Sequence, residues 1–568
     1  MNSAVRCVHL GLCLCICISA VAGNVPSTSA SDVSTAENSY ADLNDAASIV
    51  ATIDSGLFKT YQGKNRAEWQ ALYLARRKEV AFRLANLQTP ALSKEDARAV
   101  MLMKKAVASM PEGSPSSLES SGHCKDAQQS TLDYAALRHA LYACFDEYGN
   151  NIEFEGKKFT RVSALEMLGR LDDTKRRKQL FLALNSLWQS INGKDETASP
   201  YRRMIAMAAA DVARNGSPID SAALTIGAQP TEVEKWLEQI LDAWRQSTSN
   251  VMVEPWDFRY QSGAADRELG SAIPRDSLMP INERYYHDLG ADLKQLGILY
   301  DLDPRPGKAP LAYSDFVTHG RWVDGVWHPT IARVSANYDS GGLGLLNELV
   351  HENGHAVHMD ALRTRPAFMD LGDPVFFEAF ADVTSWDTFE PAWQQKYLGR
   401  NAPESESLKS LFSGVVSDVA WALFELRLLR TPSSDPNAVW TDITSHYLHI
   451  VPHPELSWWL VRVQLVDSPG YMVNYGLGSV ITADIRQRQQ QAIGPTASGN
   501  PKWYSWISED LLKSGEEQET SALLKQFLGR PVSAQPLLEQ IRRIASPKPQ
   551  AAAALPRCGV LSSSCASQ

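Results

Sequence analysis

Residues 345–358 read LLNELVHENGHAVH. The spacing of the two histidines in the HENGH segment indicates both the local structure and the kind of site to expect. His351 and His355 stand four residues apart, so a helix of about 3.6 residues per turn projects both imidazoles from one face. Two imidazole nitrogens that converge on one point suit zinc. Glu352 would stand beside such a metal without binding it, where a general base takes a proton from activated water. We therefore predict a helix with two zinc ligands and a general base; the alternative is a solvated helical turn that spells HExxH by chance.

The residues that follow indicate where a third ligand comes from. If a third histidine completed the site, a glycine would stand three residues after His355 and the histidine three residues further on, but His358 and Ala361 occupy these positions. The other common arrangement takes a glutamate from a later helix. Glu378 follows His355 by 23 residues, within the segment FFEAFAD at 376–382, and is the predicted third ligand.

Asp382 lies four residues, one helical turn, after Glu378. On the same face of a helix it could accept the free N–H of a ligating imidazole and fix the tautomer of that ring. The alternative is an ordinary solvated carboxylate.

Four segments in the same order resemble known zinc peptidases. HENGHAVH at 351–358 resembles the active-site helix of the thimet oligopeptidase and oligoendopeptidase F family, and FEAFAD at 377–382 is similar to the third-ligand segment of angiotensin-converting enzyme. LYDLDPRPGK at 299–308 resembles the oligopeptidase signature before the active-site strand, and GYMVNY at 470–475 resembles the downstream tyrosine segment. The helix motif departs from the family at Asn353, where the family has phenylalanine.

This resemblance implies a fold class and a substrate class. The expected fold is mainly α: a large, two-lobed helical peptidase with a small β-sheet beside the zinc helix and a deep substrate channel. The expected activity is zinc-dependent hydrolysis of oligopeptides, with one zinc ion bound by His351, His355 and Glu378. An alternative within the same fold is a dipeptidyl carboxypeptidase resembling angiotensin-converting enzyme, which needs a cationic or amide group for the substrate's C-terminal carboxylate. The non-enzyme alternative is a catalytically inactive peptide-binding protein.

A peptide hydrolase also needs donors for the oxyanion of its tetrahedral intermediate. Tyr471 and Tyr475 are four residues apart and share a face if their segment is helical, and the resembling family uses tyrosine there. We predict that one of them donates to the oxyanion. The alternatives are that both are packing residues, or that His449 and His453 replace them.

Residues 329–337 alternate in the manner of a β-strand, with two faces. One face carries Thr330, Ala332, Val334 and Ala336, and the other carries Ile331, Arg333, Ser335 and Asn337. The resemblance implies that this is the edge strand to which a peptide substrate adds by backbone hydrogen bonds. The alternative is an interior strand.

The start of the chain predicts export to the periplasm or secretion. One positive charge precedes an apolar run at 10–22, which ends in Ala20-Val21-Ala22 and is too short to span a membrane. We read residues 1–22 as a signal peptide; a lipoprotein leader is the less favoured alternative. Four cysteines remain after its removal, and sequence separation favours the disulfides Cys124–Cys144 and Cys558–Cys565.

The remaining chain divides into four predicted segments: a flexible segment at 23–45, a helical N-terminal domain at 46–250, a catalytic domain at 251–545 and a tail at 546–568. The formal net charge of −10 argues against a nucleic-acid partner. No second apolar run is long enough to span a membrane once the leader is removed. A monomer is expected.

Overall fold

The computed structural model describes residues 30–87, 92–113, 123–305, 308 and 311–545. The predicted signal peptide, the predicted tail at 546–568 and the predicted Cys558–Cys565 disulfide lie outside these residues. The Cys124–Cys144 disulfide is present and confirms that prediction. Within the described part, no helix combines the length and the apolar character needed to cross a membrane.

Helices form most of the described chain. Their bounds are α1 Ala30–Asp54, α2 Arg66–Asn86, α3 Lys94–Ser109, α4 Tyr134–Gly149, α5 Arg161–Arg170, α6 Thr174–Ala183, α7 Asn185–Asn192, α8 Pro200–Asn215, α9 Pro218–Ile226, α10 Pro230–Ser247, α11 Pro255–Ser262, α12 Ala264–Leu269, α13 Leu278–Asp288, α14 Leu343–Ala361, α15 Pro374–Ser385, α16 Pro391–Leu398, α17 Glu404–Arg430, α18 Pro436–Leu448, α19 Gln464–Asp467, α20 Met472–Ala492, α21 Trp503–Ile507, α22 Thr520–Leu528 and α23 Gln535–Arg542.

The strands are short and form small sheets. Their bounds are β1 Thr60–Tyr61, β2 Lys64–Asn65, β3 Ile152–Phe154, β4 Lys157–Phe159, β5 Leu299–Asp301, β6 Tyr313–Thr318, β7 Arg321–Val323, β8 Val326–His328 and β9 Ile331–Ser335. The three-stranded sheet has the order β5-β9-β6, with β5 parallel and β6 antiparallel to β9. Both β6 and β9 pack against α14, so this sheet lies beside the helix that carries HENGH.

The strand predicted at 329–337 is confirmed as β9, but its predicted place at the sheet edge is wrong. It pairs with β5 on one side and with β6 on the other, so both of its edges are already occupied. Its burial agrees with an interior position, since Ala332, Arg333, Val334 and Ser335 are all buried. The edge strand next to α14 is β6 instead.

The prediction of a flexible segment at 23–45 is wrong for the residues from Ala30 onwards, because they belong to helix α1. Val33, Ala36, Tyr40 and Leu43 recur at three- and four-residue spacing and are buried. The Ser, Thr, Asn, Glu and Asp residues between them gave the segment a polar composition and concealed this stripe. With α2 and α3, helix α1 builds a hydrophobic cluster that also takes in Val317, Ala367 and Phe368.

A second, larger hydrophobic cluster extends from Ala127 to Ile544. It includes helices on both sides of the predicted domain boundary between residues 250 and 251; α10, for example, packs against α17 and α23. The predicted N-terminal and catalytic domains therefore share one core across residue 250. The two hydrophobic clusters are instead divided between helices α1–α3 and the rest of the described chain.

Candidate active site

Gly354 allows helix α15 to approach α14 beside the two histidines. A Cβ at this position would lie 2.8 Å from Ala381 Cα and 2.9 Å from Ala381 O, which is closer than packed atoms tolerate. Any other residue would therefore push the two helices apart. Helix α15 also packs against α20, where Thr482 Oγ1 donates to Ala379 O at 2.8 Å. The HENGH segment thus supplies two candidate metal ligands, His351 and His355, and also the glycine that lets α15 lie close to them.

The structure brings the three predicted ligands together. Donor atoms of His351, His355 and Glu378 all lie within 4.8 Å of one another. Glu378 Oε2 is 3.4 Å from His351 Nε2 and 3.8 Å from His355 Nε2. A tetrahedral zinc ion with bonds of about 2.0–2.1 Å keeps its ligand atoms about 3.3 Å apart. The two oxygen–nitrogen distances are near this spacing, while the whole set spans up to 4.8 Å, so the side chains would draw closer together to bind an ion.

Asp382 holds the other nitrogen of His351. Its Oδ1 lies 2.8 Å from His351 Nδ1, and Ser385 Oγ donates to the same oxygen at 2.9 Å. This contact confirms the prediction that Asp382 partners one of the two imidazoles. It accepts the Nδ1 proton, so that the neutral form of the ring has its Nε2 lone pair available for an ion.

The two histidines have opposite electrostatic surroundings. Burial disfavours a charged imidazole, yet the carboxylates of Asp382 and Glu378 raise the pKa of His351 well above its usual value. The site around His351 thus favours a positive charge, which a metal cation also supplies. Burial and the charge of His351 lower the pKa of His355 well below its usual value. His355 is therefore neutral, which is the form that binds a metal.

Glu352 is only 6% exposed and is held by a residue that the sequence did not reveal. Ser314 Oγ, on β6, lies 2.8 Å from Glu352 Oε2 and 2.9 Å from the backbone oxygen of Glu352, and its single proton serves one of them at a time. Burial raises the pKa of Glu352, and the charge of Glu378 acts in the same direction. A carboxylate with a raised pKa is a stronger base, which suits proton abstraction.

Asn353 occupies the position where the resembling family has phenylalanine, and it is fully buried. Tyr300 Oη donates to Asn353 Oδ1 at 2.6 Å, and Asn353 Nδ2 donates to Leu349 O at 2.8 Å. The buried amide of Asn353 therefore has hydrogen-bond partners. Because Tyr300 belongs to the LYDLDPRPGK segment, its hydrogen bond to Asn353 links two of the four matching segments.

Tyr471 and Tyr475 lie at the start of α20, with ring centroids 5.6 Å apart. Tyr475 Oη accepts a hydrogen bond from Gln464 Nε2 at 3.0 Å. Burial raises the pKa of both phenols, and the charge of Glu378 contributes to both shifts. Both tyrosines are therefore protonated at neutral pH and close enough to Glu378 to respond to its charge.

The alternative donors His449 and His453 have other partners. His449 Nε2 lies 3.3 Å from Arg245 O, and His453 lies between Glu254 and Glu455 at 2.8 and 2.7 Å. These contacts do not include the ligand set, so the tyrosines are the better candidates.

Comparison with known proteins adds a fold assignment. Neither a known protein family nor a curated protein matches the sequence. Among solved structures, the chain is similar to the M32 carboxypeptidase from Deinococcus radiodurans R1, with a TM-score of 0.53 and 14% identity over 90% of this chain and 98% of that one. It is also similar to PZ peptidase A, with a TM-score of 0.53 and 13% identity over 90% and 96% of the two chains. The chain thus shares the mainly α fold of these two structures, which confirms the predicted fold class.

Proposed function

We propose that the chain is an exported zinc metallopeptidase that hydrolyses oligopeptides. The observation that carries this proposal is that His351 and His355, on the helix that also holds buried Glu352, converge with Glu378 of α15 within 4.8 Å. The similarity of fold to two peptidases and the resemblance of four segments to oligopeptidases add support. An inactive peptide-binding protein would be expected to have lost part of the ligand set, and here the set is complete.

The residues divide the chemistry of peptide-bond cleavage among them. Zinc held by the three ligands would lower the pKa of water to about 7 and polarise the scissile carbonyl. Glu352 accepts a proton as water attacks the carbonyl carbon, and returns it to the nitrogen as the C–N bond breaks. Ser314 keeps the Glu352 carboxylate in place through its hydrogen bond.

The oxyanion that forms on the former carbonyl oxygen needs a hydrogen-bond donor. Tyr471 and Tyr475 are protonated and lie near Glu378, so either phenol is suited to this task. Tyr475 is also fixed by Gln464, so its ring is oriented before a substrate arrives.

Strand β6, rather than β9, offers its edge to a peptide. Along the described chain β6 pairs with β9 only, so its second edge is free for backbone hydrogen bonds. Ser314 lies within β6 and contacts Glu352, so an extended peptide bound to this edge would run beside the general base.

Export is supported by the Cys124–Cys144 disulfide, because disulfides persist in oxidising compartments and are rare in the cytosol.

A chelation experiment tests the proposed activity. The purified protein is incubated with a mixture of short peptides, and the products are identified by mass spectrometry before chelation, after chelation and after zinc is returned. We expect cleavage that disappears on chelation and reappears with zinc. Cleavage that survives complete removal of the metal would contradict the proposal, as would failure to cleave any peptide in the zinc-loaded state.

A further inference from the structure

Glu425 is a buried carboxyl group outside the candidate metal site. It lies near the C-terminal end of α17 and is only 1% exposed. A carboxyl group taken out of water is unfavourable unless hydrogen bonds replace the lost hydration. In the part of the chain that the structure describes, its hydrogen-bond partners are backbone groups rather than charged side chains.

The two partners of Glu425 are N–H groups on either side of Tyr471. Gly470 N donates to Glu425 Oε1 at 2.8 Å, and Met472 N donates to Glu425 Oε2 at 3.0 Å. Met472 begins α20, so its N–H belongs to the first turn, where no intrahelical acceptor is available. Glu425 therefore fixes the start of α20 through both of its oxygens, and Tyr471 lies between the two fixed groups.

Close packing also holds this turn. Gly470 has φ 91°, and a Cβ there would overlap Pro218 Cγ and lie 3.4 Å from Leu429 Cδ1. Leu429 stands one helical turn after Glu425 on α17. The turn before α20 is thus held by hydrogen bonds to Glu425 and by close contacts with Pro218 and Leu429, and it has little room to move.

The start of α20 determines where two aromatic rings stand. The ring of Tyr475, one helical turn after Tyr471, lies 5.6 Å from the ring of Tyr471 at an interplanar angle of 71°, an edge-to-face contact. Further along α20, Thr482 Oγ1 donates to Ala379 O of α15, the helix that carries Glu378. Helix α20 is therefore anchored to α15 at one place and to the carboxyl group on α17 at another. Together these anchors set the position of the two phenols relative to Glu378.

We propose that Glu425 is a positioning residue for the tyrosine that donates to the oxyanion. This inference rests on the proposed function and adds a residue that supports it without touching the substrate. A donor stabilises the oxyanion only when it is correctly placed, and a displacement of about 1 Å can cost about 10²-fold in rate. Because the donor is needed in the transition state rather than for binding, its displacement lowers kcat and changes KM little.

Glu425→Gln tests the proposal. The amide nitrogen has no lone pair for the second N–H group, whereas both oxygens of a carboxyl group have one in either protonation state. We expect kcat on one peptide substrate to fall by about 10- to 100-fold, with KM changed by less than about threefold.

Asp484→Asn is the matched control. Asp484 is also a buried carboxyl group, lies on α20 beyond the tyrosines, accepts the backbone N–H of Ser533 at 2.9 Å and pairs with Arg530. The control should lower the Tm and leave kcat unchanged, because its contacts do not include the turn before α20.

Combination with tyrosine variants distinguishes positioning from a general structural role. Tyr471→Phe and Tyr475→Phe identify the donor as the residue whose phenol is needed for full kcat. If Glu425 acts through that phenol, adding Glu425→Gln to the donor variant should lower kcat further by less than about threefold, because the group to be positioned is already absent. In the other tyrosine variant, Glu425→Gln should keep its full effect. Losses that multiply in the donor variant would show that Glu425 acts in another way and would overturn the proposal.

Zinc content and thermal unfolding are measured for each variant, so that kcat refers to folded, zinc-loaded protein. If Glu425→Gln does not fold, Gly470→Ala displaces the same turn through overlap with Pro218, and the same comparison with the tyrosine variants applies. Unchanged kcat in folded Glu425→Gln, or full kcat in both tyrosine variants, would overturn the role of Glu425 and leave the proposed peptidase activity intact. If the zinc-loaded wild type cleaves no peptide, the proposed function itself is overturned, and this role with it.

Discussion

The His351 imidazole is hydrogen-bonded to Asp382, with 2.8 Å between His351 Nδ1 and Asp382 Oδ1, while Nε2 of the same ring is turned towards Glu378. Replacing Asp382 by asparagine removes the charge that stabilises this tautomer. We expect zinc affinity to fall by about 10- to 100-fold, measured by competition with a chelator of known affinity. Asp442→Asn, on an exposed carboxylate of α18, should leave the affinity unchanged. An unchanged affinity in Asp382→Asn would show that this contact does not support the metal site.

Glu378→Ala should lower the zinc content well below the value of about one ion per chain expected for the wild type, because only two protein ligands remain. Elemental analysis of the dialysed protein measures this, with Glu153→Ala as an exposed control. Glu390, the next glutamate along the chain, pairs with Arg543 at 2.9 Å and cannot become a ligand without breaking that pair. Full zinc content in Glu378→Ala would show that another residue is the third ligand.

Tyr471→Phe and Tyr475→Phe separate the two candidate oxyanion donors. Whichever phenol donates should show kcat reduced by about 10²- to 10³-fold with little change in KM, because the hydrogen bond forms in the transition state. Steady-state kinetics on one peptide substrate measures this. Tyr447→Phe, on helix α18, is the control. If both variants keep full kcat, the tyrosines are packing residues.

Glu425 gives a prediction about pH. It is buried and accepts hydrogen bonds from the backbone N–H groups of Gly470 and Met472, on either side of Tyr471, at 2.8 and 3.0 Å. Burial raises the pKa of Glu425 from 4.5 to about 8. The folded state therefore holds the proton more tightly than the unfolded state. The stability from this group is complete below pH 4.5 and is lost as the pH rises to about 8.

Glu425→Gln removes this titration. Its Tm should therefore fall less than that of the wild type between about pH 5 and about pH 9. The Tm should be lower overall, because the amide NH2 cannot accept one of the two backbone N–H groups. Thermal unfolding of both proteins across this range measures the difference. Identical pH dependence in the two proteins would mean that Glu425 ionises alike in the folded and unfolded states.

The predictions from sequence succeeded where short-range spacing determines geometry. The four-residue step from His351 to His355 and the turn from Glu378 to Asp382 fixed which side chains share a helix face, and the structure places them accordingly. The alternation at 329–337 likewise identified strand β9.

What the sequence could not supply is the identity of neighbours distant in the chain. Whether β9 lies at an edge depends on β5 and β6, and its own residues do not show that both are present. Ser314 was missed for the same reason, since its significance comes from its contact with Glu352 on α14. Helices α22 and α23 are separate because Gly529 adopts a left-handed conformation with φ 71° and Pro531 follows.

The most direct test of the account is the zinc content and turnover of Glu352→Gln. Glutamine keeps the size of the side chain but can neither accept nor return a proton, and Glu352 is outside the ligand set. We expect zinc content equal to that of the wild type. We expect kcat to be lowered by about 10²- to 10⁴-fold on a peptide that the wild type cleaves. A variant that retains zinc and cleaves peptides at near wild-type rate would contradict the assignment of Glu352 as general base and the mechanism built on it.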